Sequence, residues 1–74
     1  MHLTRIDPDI NMRRYYQIDL AADLFGGVML IRNWGRIGSS GQQRQQWFPD
    51  HDKAEHARQI QATRKLRKGY AHSG

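Results

Sequence analysis

Cysteine is absent from the 74 residues. That excludes disulfides, zinc–thiolate sites and thiol catalysis, and it fits a reducing compartment. Long apolar runs are missing too. The longest, Val28–Ile31, has four residues, against the roughly 20 needed to cross a bilayer, so no membrane partner is expected. Met1–Arg5 leads into Asp7 without an apolar stretch, so no secretory signal is read and a cytoplasmic location is expected. At 74 residues one domain is expected, residues 1–74, with no room for a second. A chain this short buries only about 60% of the surface its unfolded form exposes. A large enclosed catalytic cavity is therefore not expected.

Acidic residues are unevenly missing. Residues 24–49 carry Arg32, Arg36 and Arg44 and no acid, and residues 56–74 carry Arg58, Arg64, Lys65, Arg67 and Lys68 and no acid. The net charge of +5 thus sits in a central block and a C-terminal block. Segregated basic charge on a small domain favours a polyanion, most often nucleic acid. A solvated cationic surface that serves only solubility has the same composition.

Along the chain, Leu3–Ile6 reads as a short strand ended by the turn signal Asp7-Pro8-Asp9. Arg14–Leu20 reads as a strand, with Tyr16, Ile18 and Leu20 on one parity. Asp23–Gly27 suits a hairpin loop. Val28–Trp34 is apolar on both parities at its start, which predicts a strand covered on both faces there. Gln43–Phe48 forms a further strand, and Pro49 stops it. Asp50 and Asp52 are both candidate helix caps, and Asp52 is the stronger because Glu55 stands three residues on. A helix is predicted over about residues 52–68, with Ala54, Ala57, Ile60 and Thr63 as its apolar stripe and Gly69 as its C-cap. Residues 71–74 read as a frayed tail. The expected fold is α+β: a small antiparallel sheet of three to four strands, with one C-terminal helix packed on one face.

The informative segment is Arg32–Gln42. In a continuing strand, Arg32, Trp34 and Arg36 share one side, while Met29, Ile31 and Ile37 share the other. The second side is the more apolar, so it is the better candidate to lie under the helix. Trp34 would then stand in solvent between two guanidinium groups, a flat surface for a sugar or base beside cations for phosphate. Gly35 would permit close approach of a ligand. Val28 and Leu30 share the parity of Trp34, however, so Trp34 as a core residue is the other reading. Spacing alone leans toward the core.

The extended motif Trp34-Gly35-Arg36-Ile37-Gly38-x-x-Gly41-Gln42 resembles the signature of the WGR domain. So does its setting. Asn11–Ile18 is similar to the family's first strand, Leu24–Gly27 to the loop of bacterial forms, and Lys65 with Tyr70 to the closing lysine and aromatic. The resemblance covers about residues 11–70. It implies a non-catalytic module that binds DNA near strand breaks, with the tryptophan packed on a terminal sugar. By that resemblance Trp34 is the sugar platform, Gly35 and Arg36 border the phosphate, and Asn11, Arg13 and Lys65 are further candidates. In multidomain relatives the motif arginine also contacts neighbouring domains. The similarity takes up nearly the whole chain, so no catalytic domain for ADP-ribosyl transfer is expected.

Other constellations are weaker. His51 and His56 are five apart, which does not place two ligands on one helical face, and no metal or cofactor is expected. The aspartate pairs 7/9 and 50/52 are explained by turns and caps. Arg44 either blunts an edge strand or reaches phosphate, and Arg32 joins it as a candidate contact. The expected function is non-enzymatic binding of nucleic acid, with DNA ends or breaks as the partner. The alternative is a module that docks a partner enzyme through the Trp34/Arg36 surface, since an exposed tryptophan beside arginine also suits a protein hot spot.

Overall fold

The chain alternates strand and turn up to one helix and closes on a short strand, and the computed structural model describes residues 1–73. The elements are β1 (His2–Asp7), β2 (Met12–Ala22), β3 (Val28–Arg36), β4 (Gln42–Phe48), α1 (His51–Arg67) and β5 (Ala71–His72). They form one antiparallel sheet in the order β4-β3-β2-β1-β5, with α1 packed across β2, β3 and β4. The class is α+β, with five strands rather than three or four. The extra strand comes from the expected tail: Ala71 and His72 pair with Thr4 and Leu3. Two residues carry no readable period, so only their partner strand reveals them. Residue 74 lies outside the described residues.

The face under the helix is the reverse of the one expected from β3. Leu3, Tyr16, Ile18 and Leu30 are the buried core of the sheet, and Trp34 and Phe48 pack against it. The register sets Tyr16 opposite Trp34, Ile18 opposite Arg32 and Leu20 opposite Leu30. β3 is apolar on both parities and cannot choose a face by itself. β2 chooses for it, because Gln17 and Asp19 exclude its other side from a core. Burying each of Leu3, Ile18 and Leu30 stabilises the fold by roughly 1.5–3 kcal/mol. Met29 and Ile31 stay half-buried on the far side, so β3 is not covered on both faces by another layer. Trp47 lies on that far side as well, and its indole N–H donates to Asp23 Oδ2 at 3.0 Å, holding the β2–β3 loop.

The helix turns Ala54, Ala57, Gln61, Ala62 and Lys65 toward the sheet. Ile60 stays 41% exposed and Thr63 is exposed, which corrects the expected stripe. Ala54 and Ala62 are buried, and their small side chains let the helix lie close to the sheet. The N-cap is Asp50, whose carboxylate accepts the Lys53 N–H at 2.9 Å. Asp52 sits inside the first turn instead. Pro49 ends the strand so abruptly that the helix begins at once, and Glu55 pairs with Arg58 rather than reaching back to a cap. Asp50→Ala should cost about 1 kcal/mol, a fall in Tm of roughly 4–8 °C for a domain this size. Asp52→Ala should cost clearly less, and thermal melts of the two variants test the assignment.

The other end of α1 decides where the site lies. Gly69 takes φ 96°, a left-handed conformation that costs a residue with a side chain about 1–2 kcal/mol. Its N–H donates to the Leu66 carbonyl at 3.1 Å, and the Tyr70 N–H donates to the Lys65 carbonyl at 3.1 Å. These two bonds are a Schellman cap. The cap reverses the chain and folds Tyr70 back beside Lys65, whose ammonium lies 5.4 Å from the Tyr70 ring centroid.

Candidate nucleic-acid interface

Trp34 stands near the end of β3, where the helix C-terminus passes over the sheet. Its indole is half-buried. It packs against the core and also lines two open clefts. The core reading therefore holds for one part of the ring, and the other part faces the open clefts.

The larger cleft, about 350 Å³, is lined by Trp34, Gly35 and Arg36 from β3, Arg14 and Tyr15 from β2, and Lys65 and Tyr70 from the capped helix end. The smaller, about 210 Å³, is lined by Trp34, Arg32, Tyr16, Gln61 and Lys65. No aspartate or glutamate lines either cleft. Each instead gathers cations around one indole, with the Arg32 guanidinium 6.0 Å from the Trp34 ring centroid.

Arg36 is held in place rather than loose. Its guanidinium donates to the Asn11 carbonyl at 3.1 Å and to Asn11 Oδ1 at 3.3 Å. Asn11 can offer both because it takes the left-handed region, φ 51°, at the end of the 3-10 turn Pro8–Ile10. Asn11 lines neither cleft and holds the Arg36 guanidinium. Gly35 has a structural duty beside any contact with ligand: a Cβ there would come within 2.8 Å of the Gly41 Cα. That close approach folds the loop after β3 against its own strand. Ser39 Oγ fastens the same loop by donating to the Arg36 carbonyl at 2.7 Å.

Lys65 is half-buried among aromatic rings. Its ammonium lies 4.8 Å from the Tyr16 ring centroid, between the two tyrosines. Burial lowers its pKa from the ordinary 10.5, and the positive charges of Lys68, Arg14 and Arg32 lower it further. Among the described residues no carboxylate forms an ion pair with it. The arrangement is a partly desolvated positive cluster beside an aromatic surface, which suits a phosphate joined to a sugar or base.

The structure brings Trp34, Gly35, Arg36 and Lys65 together at the larger cleft and adds Arg32 across the indole. Three candidates line neither cleft: Asn11, which lies against Arg36, and the arginines Arg13 and Arg44. Arg13 has the opposite parity to Tyr16 on β2, so its side chain leaves from the other face of the sheet. Arg44 is exposed on edge strand β4, opposite Arg32 in the register, and lines neither cleft. Arg14 takes the place expected of Arg13. Its parity with Tyr16 was the available signal, and the register seats it opposite Arg36. Gln61 carried no signal beyond its position one helical turn before Lys65. Among the described residues no group of three or more His, Asp or Glu side chains is placed to hold a metal ion.

The WGR-domain family model matches residues 1–74. The chain belongs to the WGR family. A WGR domain is a non-catalytic module met in nucleic-acid-binding settings. Among relatives, the uncharacterised protein y4dW of Sinorhizobium fredii is 41% identical over 54 residues, which is 73% of this chain. The matched segment is 26% of that protein's length, so this WGR chain spans about a quarter of the relative. No solved structure matches the chain. No helix among the described residues is long and apolar enough to cross a membrane.

Proposed function

We propose that this WGR domain is a non-enzymatic module that binds DNA at ends or breaks, in the cytoplasm. The observation that carries the reading is the larger cleft: a half-exposed indole ringed by Arg14, Arg36 and Lys65, with no acidic residue in its lining. A strand end offers what such a cleft takes, a terminal sugar with an accessible flat side and a phosphate beside it. An intact duplex keeps its sugars within a continuous backbone and does not present one to the indole. Asn11 fixes the Arg36 guanidinium before ligand arrives, which lowers the ordering cost of binding. Phosphate contacts set position without reading bases, so little sequence preference is expected.

Titrating labelled duplexes that are nicked, blunt-ended, 5′-phosphorylated or closed into hairpins tests the proposal. Nicked and open ends should bind more tightly than closed hairpins of the same sequence. If about three phosphates are neutralised, log K should fall against log salt with a slope of roughly −2.7. Equal affinity for hairpins and open ends would remove the end-binding mechanism. A flat salt response would favour docking of a partner protein through Trp34 and Arg36 instead.

A further inference from the structure

The smaller cleft on the helix side of Trp34 has a chemistry of its own. Arg32 and Lys65 supply positive charge, Gln61 an amide, and Tyr16 a hydroxyl. Tyr16 is only 2% exposed, yet among the described residues its hydroxyl meets no hydrogen-bond acceptor. Burial raises the phenol's pKa, and the Arg32 guanidinium beside it opposes that rise. The hydroxyl thus remains a neutral donor at ordinary pH. A buried, unmet hydroxyl is costly, and a core that needed only bulk here would take phenylalanine. Among the described residues every charged group lining this cleft is cationic. The ligand it fits is an anion with several acceptor oxygens. At about 210 Å³ the space falls below the roughly 300 Å³ at which small-molecule pockets begin, so it suits a phosphate group and not a whole nucleotide.

We propose that the Tyr16–Arg32–Gln61–Lys65 cleft is a second phosphate subsite, so that a bound strand is held by two phosphates on either side of Trp34. This rests on the end-binding reading of the larger cleft and adds to it. Trp34 and Lys65 line both clefts, and a single strand passing the indole can occupy both. A phosphate seated in the smaller cleft takes Arg32 and Lys65 directly. As Arg32 turns onto the phosphate, a phosphate oxygen accepts from the Tyr16 hydroxyl.

The test uses the full chain and single-strand oligonucleotides in which one linkage at a time, counted from the end, is a neutral methylphosphonate. One interior linkage should weaken binding by about tenfold, the loss of a hydrogen-bonded charge. In Arg32→Gln the same replacement should have almost no further effect. Tyr16→Phe should raise Tm or leave it unchanged, yet lower affinity several-fold, which a purely structural tyrosine would not do. In NMR titrations the Gln61 side-chain amide should move with the oligonucleotide and hardly at all with equimolar inorganic phosphate. An equal response to inorganic phosphate would assign the cleft to the free anion and overturn the strand assignment. If the wild type binds ends and Trp34 variants weaken it, but methylphosphonates act equally in wild type and Arg32→Gln, the subsite is overturned while the end-binding reading stands. If the wild type binds no end, both fall.

Discussion

Trp34→Ala is expected to lower both stability and end affinity, by separable amounts. The indole is half-buried against the core, so its loss removes only part of the packing of a fully buried tryptophan. The expected cost is roughly 2 kcal/mol, against 3–5 for a complete core truncation. For a domain this size that is a fall in Tm of about 8–16 °C, which a small domain can survive if it starts above the low end of ordinary stability. The open part of the ring carries the binding. Its removal should weaken end affinity by roughly 1–3 kcal/mol, the range for an aromatic stacked on a nucleotide. Trp34→Leu separates the two effects, because leucine restores much of the apolar contact but offers no flat surface. It should recover most of the Tm and little of the affinity. Melting curves and DNA titrations on both variants decide the matter. Recovery of affinity by leucine would mean that Trp34 acts only by shaping the cleft.

The sheet was legible where one strand had one apolar parity. Tyr16, Ile18 and Leu20 against Gln17 and Asp19 define β2 and its buried side. β3 was legible as a strand but not in its orientation, since Val28–Ile31 is apolar throughout. The pairing of Leu20 with Leu30 and of Tyr16 with Trp34 settles it, and that register belongs to the pair of strands and not to β3 alone. The same limit hid β5, whose two residues become a strand only because Gly69 turns the chain back toward β1. At the site, Trp34, Gly35 and Arg36 stood out as a motif, and Lys65 stood out with Tyr70. Arg14 was reachable by parity, which also argued against Arg13. Asn11 is a candidate from the sequence, but its hold on Arg36 depends on a left-handed backbone that the residue type alone does not reveal. Gln61 and the unmet Tyr16 hydroxyl were not legible, because each matters only where the helix meets the sheet.

Lys65→Met is expected to move stability and binding in opposite directions. Burial and the charges of Lys68, Arg14 and Arg32 hold the Lys65 pKa below 10.5. A base whose pKa is lowered on folding favours the folded state less while it is protonated. The folded protein thus carries a penalty below the folded pKa, and this penalty disappears as pH rises through that pKa toward the unfolded value. Methionine keeps an unbranched apolar side chain in the place of the lysine stem and removes the partly desolvated charge, so its Tm at neutral pH should be equal to or above that of the wild type. Binding should fall. Lys65 lines both clefts, and a charge-assisted contact is worth roughly 1.5–3 kcal/mol, so affinity for ends should drop by about tenfold or more. The salt slope should flatten by about one unit. A bound phosphate favours the ammonium, so wild-type affinity should decline on the alkaline side as pH rises through the Lys65 pKa. The methionine variant should lack that part of the decline. A variant that melts well below the wild type would show Lys65 to be a structural cation, and unchanged end affinity with an unchanged salt slope would remove it from the interface.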